Sequence, residues 1–365
     1  MDHHTESQPS HAAVDHGNPA VFKPKWFVLD DANVDLISMG ATVIAFMTVL
    51  FLHVPWMLAI GALAVFVLPF RHIFPQSEAP TGLVLITGGS SGIGAELAYI
   101  FAQKGHDLIL VGRDLNQLQA VKRSVQEKYS KAAGTIMLDL SIPGTARQLY
   151  DRVTGEGFAV DVLVNNAGLG GTGDTLEQPI ELCERMTTLN CITPVQLTQL
   201  FGRDMAKRGR GWILQNSSVG WIASPGQNIY HATKHYLRAF SEALSIELRA
   251  YPGVINTQLM PGPTHTQWVT RSHAQETFMA AASGAVEDPK AVALAGYNGL
   301  CRGKRMVFSS WNAAFTSFFL QLVPRSVHLT IASLMNAPTR GMARMEEPQK
   351  DQNARGSELE KKHEN

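Results

Sequence analysis

Along residues 81–310, short and almost continuous apolar runs alternate with segments whose apolar positions recur at helical spacing. The runs GLVLITG, HDLILVG, GTIMLDL, VDVLVNN, GWILQNSS and GVINTQLMPG predict strands. The segments AELAYIFAQKG and LNQLQAVKRSVQEKYS, lying between such runs, predict helices. Strands with no polar face are buried on both sides. Their alternation with helices therefore predicts βαβ units around a parallel sheet. The expected class is α/β, a doubly wound parallel sheet, with no internal repeat.

The flanks follow other patterns. Residues 1–35 are polar and carry His3, His4, His11 and His16, and they predict a solvated tail rather than a metal site. Residues 36–70 then contain no Asp, Glu, Lys or Arg. Since about 20 apolar residues cross a bilayer, 36–72 is expected to anchor the chain in a membrane. His53 and Pro55 interrupt it, so a single tilted span and a re-entrant hairpin both stand. Residues 73–80 read as a linker. Residues 311–323 are apolar and uncharged but too short to span, and a second apolar run follows Pro324 and Arg325. The segment 311–338 is expected to form interfacial helices, with packing onto the core or a partner subunit as the alternative. Residues 339–365 mix both charges and predict a second solvated tail.

Composition narrows the function. Lys plus Arg and Asp plus Glu each total 31, so net charge is zero, and no basic surplus supports nucleic-acid binding. Cys183, Cys191 and Cys301 are too few and too scattered for a disulfide framework or a zinc site. They read as reduced thiols, and no metal site is expected.

The first strand runs directly into Thr87-Gly88-Gly89-Ser90-Ser91-Gly92-Ile93-Gly94 and then into a helix. Glycines there let the backbone approach a pyrophosphate, which the helix N-terminus attracts with unpaired N–H groups. This is the setting of a dinucleotide site. At the end of the second strand, Gly112 stands where NAD enzymes place an acid, and Arg113 follows. A guanidinium pairs with a 2′-phosphate that a carboxylate would repel, so NADP(H) is expected over NAD(H), with Asp114 the competing signal.

The spacing TGxxxGxG resembles the glycine motif of the short-chain dehydrogenases/reductases, whose domain is a Rossmann-type sheet. The resemblance extends over residues 81–310. Asp139-Leu140 resembles the family's adenine-contacting pair. Asn165-Asn166-Ala167-Gly168 resembles its NNAG, and Pro261-Gly262-Pro263-Thr264 its turn on the nicotinamide, with Thr264 on the carboxamide. Tyr230-His231-Ala232-Thr233-Lys234 gives YxxxK, with Tyr and Lys on one helical face. An ammonium beside a phenol is expected to lower the phenol pKa. The resemblance adds Ser218, twelve residues before Tyr230, as the group on the substrate oxygen, with Ser217 left open. It also adds Asn190, on the helix after NNAG, as holder of a proton-relay water. Lys234 would in addition grip the nicotinamide ribose.

These readings imply hydride transfer between cofactor and a carbonyl, with Tyr230 moving the proton. Trp268, Phe278, Met279, Ala280, Ala281 and Ala282 make the expected substrate loop apolar. A lipophilic ketone or alcohol is therefore expected, of steroid, retinoid, long-chain 3-ketoacyl or secondary-metabolite type. The expected setting is a membrane, with the endoplasmic reticulum favoured by such substrates. The resemblance also implies a homodimer through the helices carrying Asn190 and Tyr230. Two rivals stand beside this reading: a catalytically idle cofactor-binding membrane scaffold, and a redox-neutral epimerase-like relative.

Overall fold

A computed structural model describes residues 79–219, 225–266, 286–322 and 324–335. The tail 1–35, the apolar segment 36–72, most of the linker and residues 336–365 lie outside the described residues. So do the substrate-loop residues Trp268, Phe278, Met279, Ala280, Ala281 and Ala282.

Every expected strand forms. The six are β1 (Leu83–Thr87), β2 (Leu108–Gly112), β3 (Ala133–Met137), β4 (Val160–Asn165), β5 (Gly211–Asn216) and β6 (Val254–Met260), and a short seventh, β7 (Met306–Phe308), joins them. They pair in parallel as one seven-stranded sheet in the order β3-β2-β1-β4-β5-β6-β7. The helices between them are α1 (Gly92–Gln103), α2 (Leu115–Tyr129), α3 (Thr145–Gly155), α4 (Ile180–Thr187), α5 (Thr193–Arg208), α6 (Asn228–Glu247) and α7 (Pro289–Cys301).

The uniform apolarity of the strands has a direct outcome. Side chains alternate across a strand. Val84 and Ile86 of β1 enter one core layer, with α1, α2 and α7, while Leu85 enters the other, with α3 and α5. Both layers are closed by aromatic contacts: Phe101 of α1 meets Tyr297 of α7 edge-on at 5.2 Å, and Tyr150 of α3 meets Phe201 of α5 at 5.1 Å. Phe101 is fully buried, which stabilises the fold by about 1.5–3 kcal/mol relative to exposure.

Local chemistry sets the helix ends. Asp114 caps α2 by accepting from Gln117 N–H at 3.0 Å. Asp288 caps α7 with Pro289 in its first turn, and Gly209 ends α5 at φ 72°. The chain closes with α8 (Trp311–Leu322) and α9 (Arg325–Met335), parted near Pro324 as the sequence pattern implies. At 1.5 Å per residue, α8 is roughly 18 Å long, well short of a bilayer core. Among the described residues no helix is long and apolar enough to cross a membrane.

Candidate active site

The strand order reverses between β1 and β4. From β1 the chain winds outward through β2 and β3, then returns to lie on β1's other side. Loops leaving the carboxyl ends of these two strands diverge, and ligands of open α/β sheets bind in the crevice so formed.

Thr87, at the end of β1, ties the two loops together. Its hydroxyl donates to Val164 O at 3.2 Å and accepts from Asn166 N–H at 2.9 Å and Ala167 N–H at 3.0 Å. Asn166 returns the contact, its Nδ2 donating to Thr87 O at 3.0 Å and Gly88 O at 3.2 Å. Asn216, at the end of β5, donates to Asn166 Oδ1 at 2.8 Å. The ends of three neighbouring strands are thus locked in one hydrogen-bonded strip.

That strip requires glycine. A Cβ on Gly88, which sits at φ +65°, would lie 2.9 Å from Ala167 Cα, and one on Gly94 would lie 2.1 Å from Gly88 O. The first turn of α1 therefore presses on the β1 loop. Its N-cap, Ser91, makes no side-chain cap bond, and no acid stands in the first turn. The leading N–H groups and their partial positive charge remain available to an anion. These residues fit a dinucleotide: Thr87, Gly88, Ser90, Ser91, Gly92, Ile93 and Gly94 would surround its pyrophosphate.

Farther along the sheet edge, Gly112 packs beside Ser90, and a Cβ there would sit 3.5 Å from Ser90 Oγ. Arg113 is about half exposed and stands 3.7 Å from Asp139. Asp139 also meets Arg185 at 3.2 Å and accepts from the Ser141 amide at 2.9 Å and hydroxyl at 2.6 Å. Partial burial pushes the Asp139 carboxyl upward, but the Ser141 bonds and the two guanidinium groups outweigh it and hold it below the usual carboxylate range. Leu140 is buried and its carbonyl accepts from Thr193 Oγ1 at 2.8 Å, so neither its side chain nor that carbonyl faces a ligand freely.

On the opposite flank, Ser218, Tyr230 and Lys234 come together. The Tyr230 phenol is hydrogen-bonded with the Ser218 side chain. Ser217, by contrast, is buried and its hydroxyl donates to Lys234 O at 3.2 Å. Of the two serines, Ser218 is the one set on the phenol. Lys234 lies with Nζ 5.7 Å from the centre of the Tyr230 ring and donates to Asn216 O at 2.9 Å. Burial lowers its ammonium to about 8, and Cys191 slightly opposes this.

The phenol itself departs from the expected direction. Burial pushes Tyr230 well above its ordinary value, and the Ser218 bond only partly offsets that. The ammonium points at a strand carbonyl, so desolvation of the phenol prevails. Tyr230 thus stands at neutral pH as a protonated acid.

Asn190 is also here, but not in a regular helix. Residues Thr188–Ile192 form a π-turn between α4 and α5, a local widening common at functional sites. The Asn190 amide donates to Leu169 O at 2.8 Å and Thr233 Oγ1 at 3.0 Å, and its oxygen accepts from Leu169 N–H at 2.9 Å. Both amide protons are committed, and one lone pair remains for a water. A Cβ on Gly168 would lie 3.6 Å from Asn190 Oδ1 and 3.8 Å from Lys234 Nζ, so the loop after β4 brings these groups together.

Thr264 lies beyond β6, buried, with its hydroxyl donating to Gly262 O at 2.8 Å. Pro261 and Gly262 form the turn before it. A Cβ on Gly92 would lie 3.0 Å from Thr266 Cγ2, so this segment reaches back to the glycine loop.

Two residues here escaped the sequence reading. Asn216 orients Lys234 and Asn166 together. Thr233 donates to Tyr230 O at 2.7 Å while accepting from Asn190. The signal for Thr233 was a hydroxyl enclosed between Tyr230 and Lys234. For Asn216 it was a polar residue closing an apolar strand.

The comparisons agree with this geometry. A family model described as short chain dehydrogenase matches residues 82–277. The chain is 34% identical over 206 residues to Dehydrogenase/reductase SDR family member 7 of Homo sapiens, covering 55% of this chain and 61% of that protein. It is 31% identical over 264 residues to the very-long-chain 3-oxoacyl-CoA reductase of Phaeosphaeria nodorum, 70% of this chain and 72% of that one. Among solved structures, a short-chain dehydrogenase from Sphingobium yanoikuyae in complex with NADPH superposes with a TM-score of 0.60 at 29% identity, covering 68% of this chain and 95% of that one.

Proposed function

The chain belongs to the short-chain dehydrogenase family of oxidoreductases, and from that premise we propose that it reduces a lipophilic ketone with NADPH while held at a membrane. The observation that carries this reading is the Ser218–Tyr230 hydrogen bond, with Lys234 under the same ring, beside the crevice at the strand reversal.

A reduced nicotinamide bound along the glycine loop supplies the hydride. Asp139, Asn166, Ala167, Gly168, Pro261, Gly262 and Thr264 would line the rest of its length. Ser218 and Tyr230 hold the carbonyl oxygen, and their donated hydrogen bonds stabilise the negative charge growing there. Tyr230, protonated at neutral pH, then gives that oxygen its proton; burial alone makes the phenol a weaker acid, and the Ser218 bond partly offsets this. Lys234 places positive charge below the ring, and Asn190 ties the Thr233 hydroxyl, between the two in sequence, to the backbone of Leu169. NADPH rather than NADH is supported by two features: Gly112 offers no carboxylate, and Asp114 is occupied as the cap of α2. The substrate class is supported by the reductase from Phaeosphaeria nodorum, which acts on very-long-chain 3-oxoacyl-CoA by its name. The uncharged segment 36–70 supports the membrane setting.

The direct test follows NADPH and NADH absorbance with the full chain in detergent against steroid ketones, retinal and 3-ketoacyl thioesters. Carbonyl-dependent NADPH oxidation is expected. Tight NADPH binding without turnover on any carbonyl would favour an idle scaffold.

Two further outcomes are expected. Arg113→Ala should raise KM for NADPH about tenfold or more and leave that for NADH nearly unchanged, since a charge-assisted contact to phosphate is worth about 1.5–3 kcal/mol. Equal effects on both cofactors would assign Arg113 to the fold alone. The pH profile should also break near Lys234. Its charged form prevails below about 8, so reduction is expected to hold at lower pH and to decline as pH rises through that value. A profile flat to pH 10 would remove Lys234's charge from the mechanism.

A further inference from the structure

Helix α8 presents its bulky face outward. Trp311, Phe315 and Phe318 are 81%, 58% and 62% exposed, whereas Ala313 and Ser317 are 5% and 1% exposed. Positions i, i+4 and i+7 fall within about 60° of arc on a helix. Small side chains thus face the fold and three aromatic rings face away from it. On α9, Val327 and Leu329 add exposed apolar surface. A contiguous outward aromatic stripe is a site for a partner, unlike scattered exposed leucines.

The place of α8 ties this stripe to the active site. Ser309 and Ser310, between β7 and α8, lie at the carboxyl edge of the sheet. Gly262 N–H donates to Ser309 Oγ at 3.0 Å. Ser310 donates to Glu287 Oε1 at 2.5 Å and caps α8 by accepting from Ala313 N–H at 3.1 Å. Glu287 in turn pairs with Thr264 as an isolated parallel bridge. The first turn of α8 is therefore pinned to the turn that lines the crevice.

Charge identifies the partner. The whole chain is neutral, yet from Pro289 to Met345 it holds no Asp or Glu, while Arg325, Arg340 and Arg344 fall in or beyond the two helices. Aromatic residues joined to basic ones without acids suit the headgroup zone of an anionic bilayer. The uncharged stretch 36–70, long enough to reach across a bilayer, would keep the chain near one.

We propose that the Trp311–Phe315–Phe318 stripe of α8 lies in the surface of an anionic phospholipid bilayer, so that the mouth of the site opens at the lipid. This extends the membrane part of the proposed function and needs no turnover to be tested. A lipophilic ketone could then reach Tyr230 from the bilayer without crossing water.

The experiment reconstitutes the full chain into phosphatidylcholine–phosphatidylserine vesicles with brominated acyl chains, and compares wild type with Trp311→Phe. The chain has six tryptophans, and the other five are common to both proteins, so the difference isolates Trp311. That difference is expected to lose roughly half or more of its intensity, as for a ring buried in the headgroup–acyl boundary. Phe318→Asp in the wild-type background should cut the loss several-fold. A difference signal that the brominated vesicles leave unquenched would overturn the proposal. So would self-association in detergent that Phe318→Asp abolishes, which would give the stripe to a second copy of the chain.

Discussion

Replacing Tyr230 by Phe is expected to lower ketone reduction about 10³-fold, roughly 4 kcal/mol of transition-state stabilisation, with NADPH affinity nearly unchanged. The substitution removes one oxygen and leaves the ring on which Lys234 rests, with Nζ still 5.7 Å from the ring centre. The lost oxygen is the one bonded to Ser218, and it carries its proton at neutral pH. The carbonyl oxygen then lacks both a donor and a proton source, and Ser218 alone cannot supply the second. Stopped-flow measurement of NADPH oxidation beside fluorescence titration of NADPH separates the two effects. A variant that keeps more than a tenth of wild-type turnover would remove Tyr230 as the acid.

The second large effect is expected at Gly94. Its φ is not in the left-handed region, so backbone strain is not the issue. The space is: an added methyl would approach Gly88 O to 2.1 Å and Asn166 Nδ2 to 2.5 Å. The nearest of these is main chain, which cannot swing aside. Gly94→Ala must push α1 from the β1 loop or break the Asn166 strut, at a cost of about 1–3 kcal/mol in stability. A fall in Tm of about 2–4 °C per kcal/mol follows for a domain of this size. NADPH affinity should drop at least about tenfold, since the same shift disturbs the N–H groups facing the pyrophosphate. Calorimetry and NADPH titration test both. Wild-type values in each would show that the helix can slide without consequence.

Much of this was legible in the sequence because the deciding forces are local or strongly patterned. Short apolar runs that alternate with helical segments read as strands covered on both sides, and each of the six between residues 81 and 310 forms one. The glycine motif announces a close backbone approach, and the Cβ collisions at Gly88 and Gly94 give its steric cause. Pro324 marks the break between α8 and α9. What the sequence left open depends on contacts between distant residues. Ser217 and Ser218 are indistinguishable by spacing, and only the approach of α6 to the segment after β5 turns one to the helix backbone and the other to the phenol. Spacing reveals the ammonium beside Tyr230 but not the desolvation of its phenol, which reverses the expected shift. Spacing alone does not assign Asp114, whose carboxylate accepts from Gln117 N–H.

The π-turn at Thr188–Ile192 also bears on how this chain tolerates change. An α-helix assigns each residue an angle about 100° on from the last. The wider turn resets that count, so α4 and α5 keep separate phases although they are continuous in sequence. Substitutions on either side leave the phases intact, but an insertion or deletion of one residue between them does not. It would rotate Asn190 off Leu169 and Thr233, or turn Leu197 and Phe201 of α5 out of the core. This segment is therefore a ratchet with one permitted tooth, open to changes of residue type and closed to changes of length.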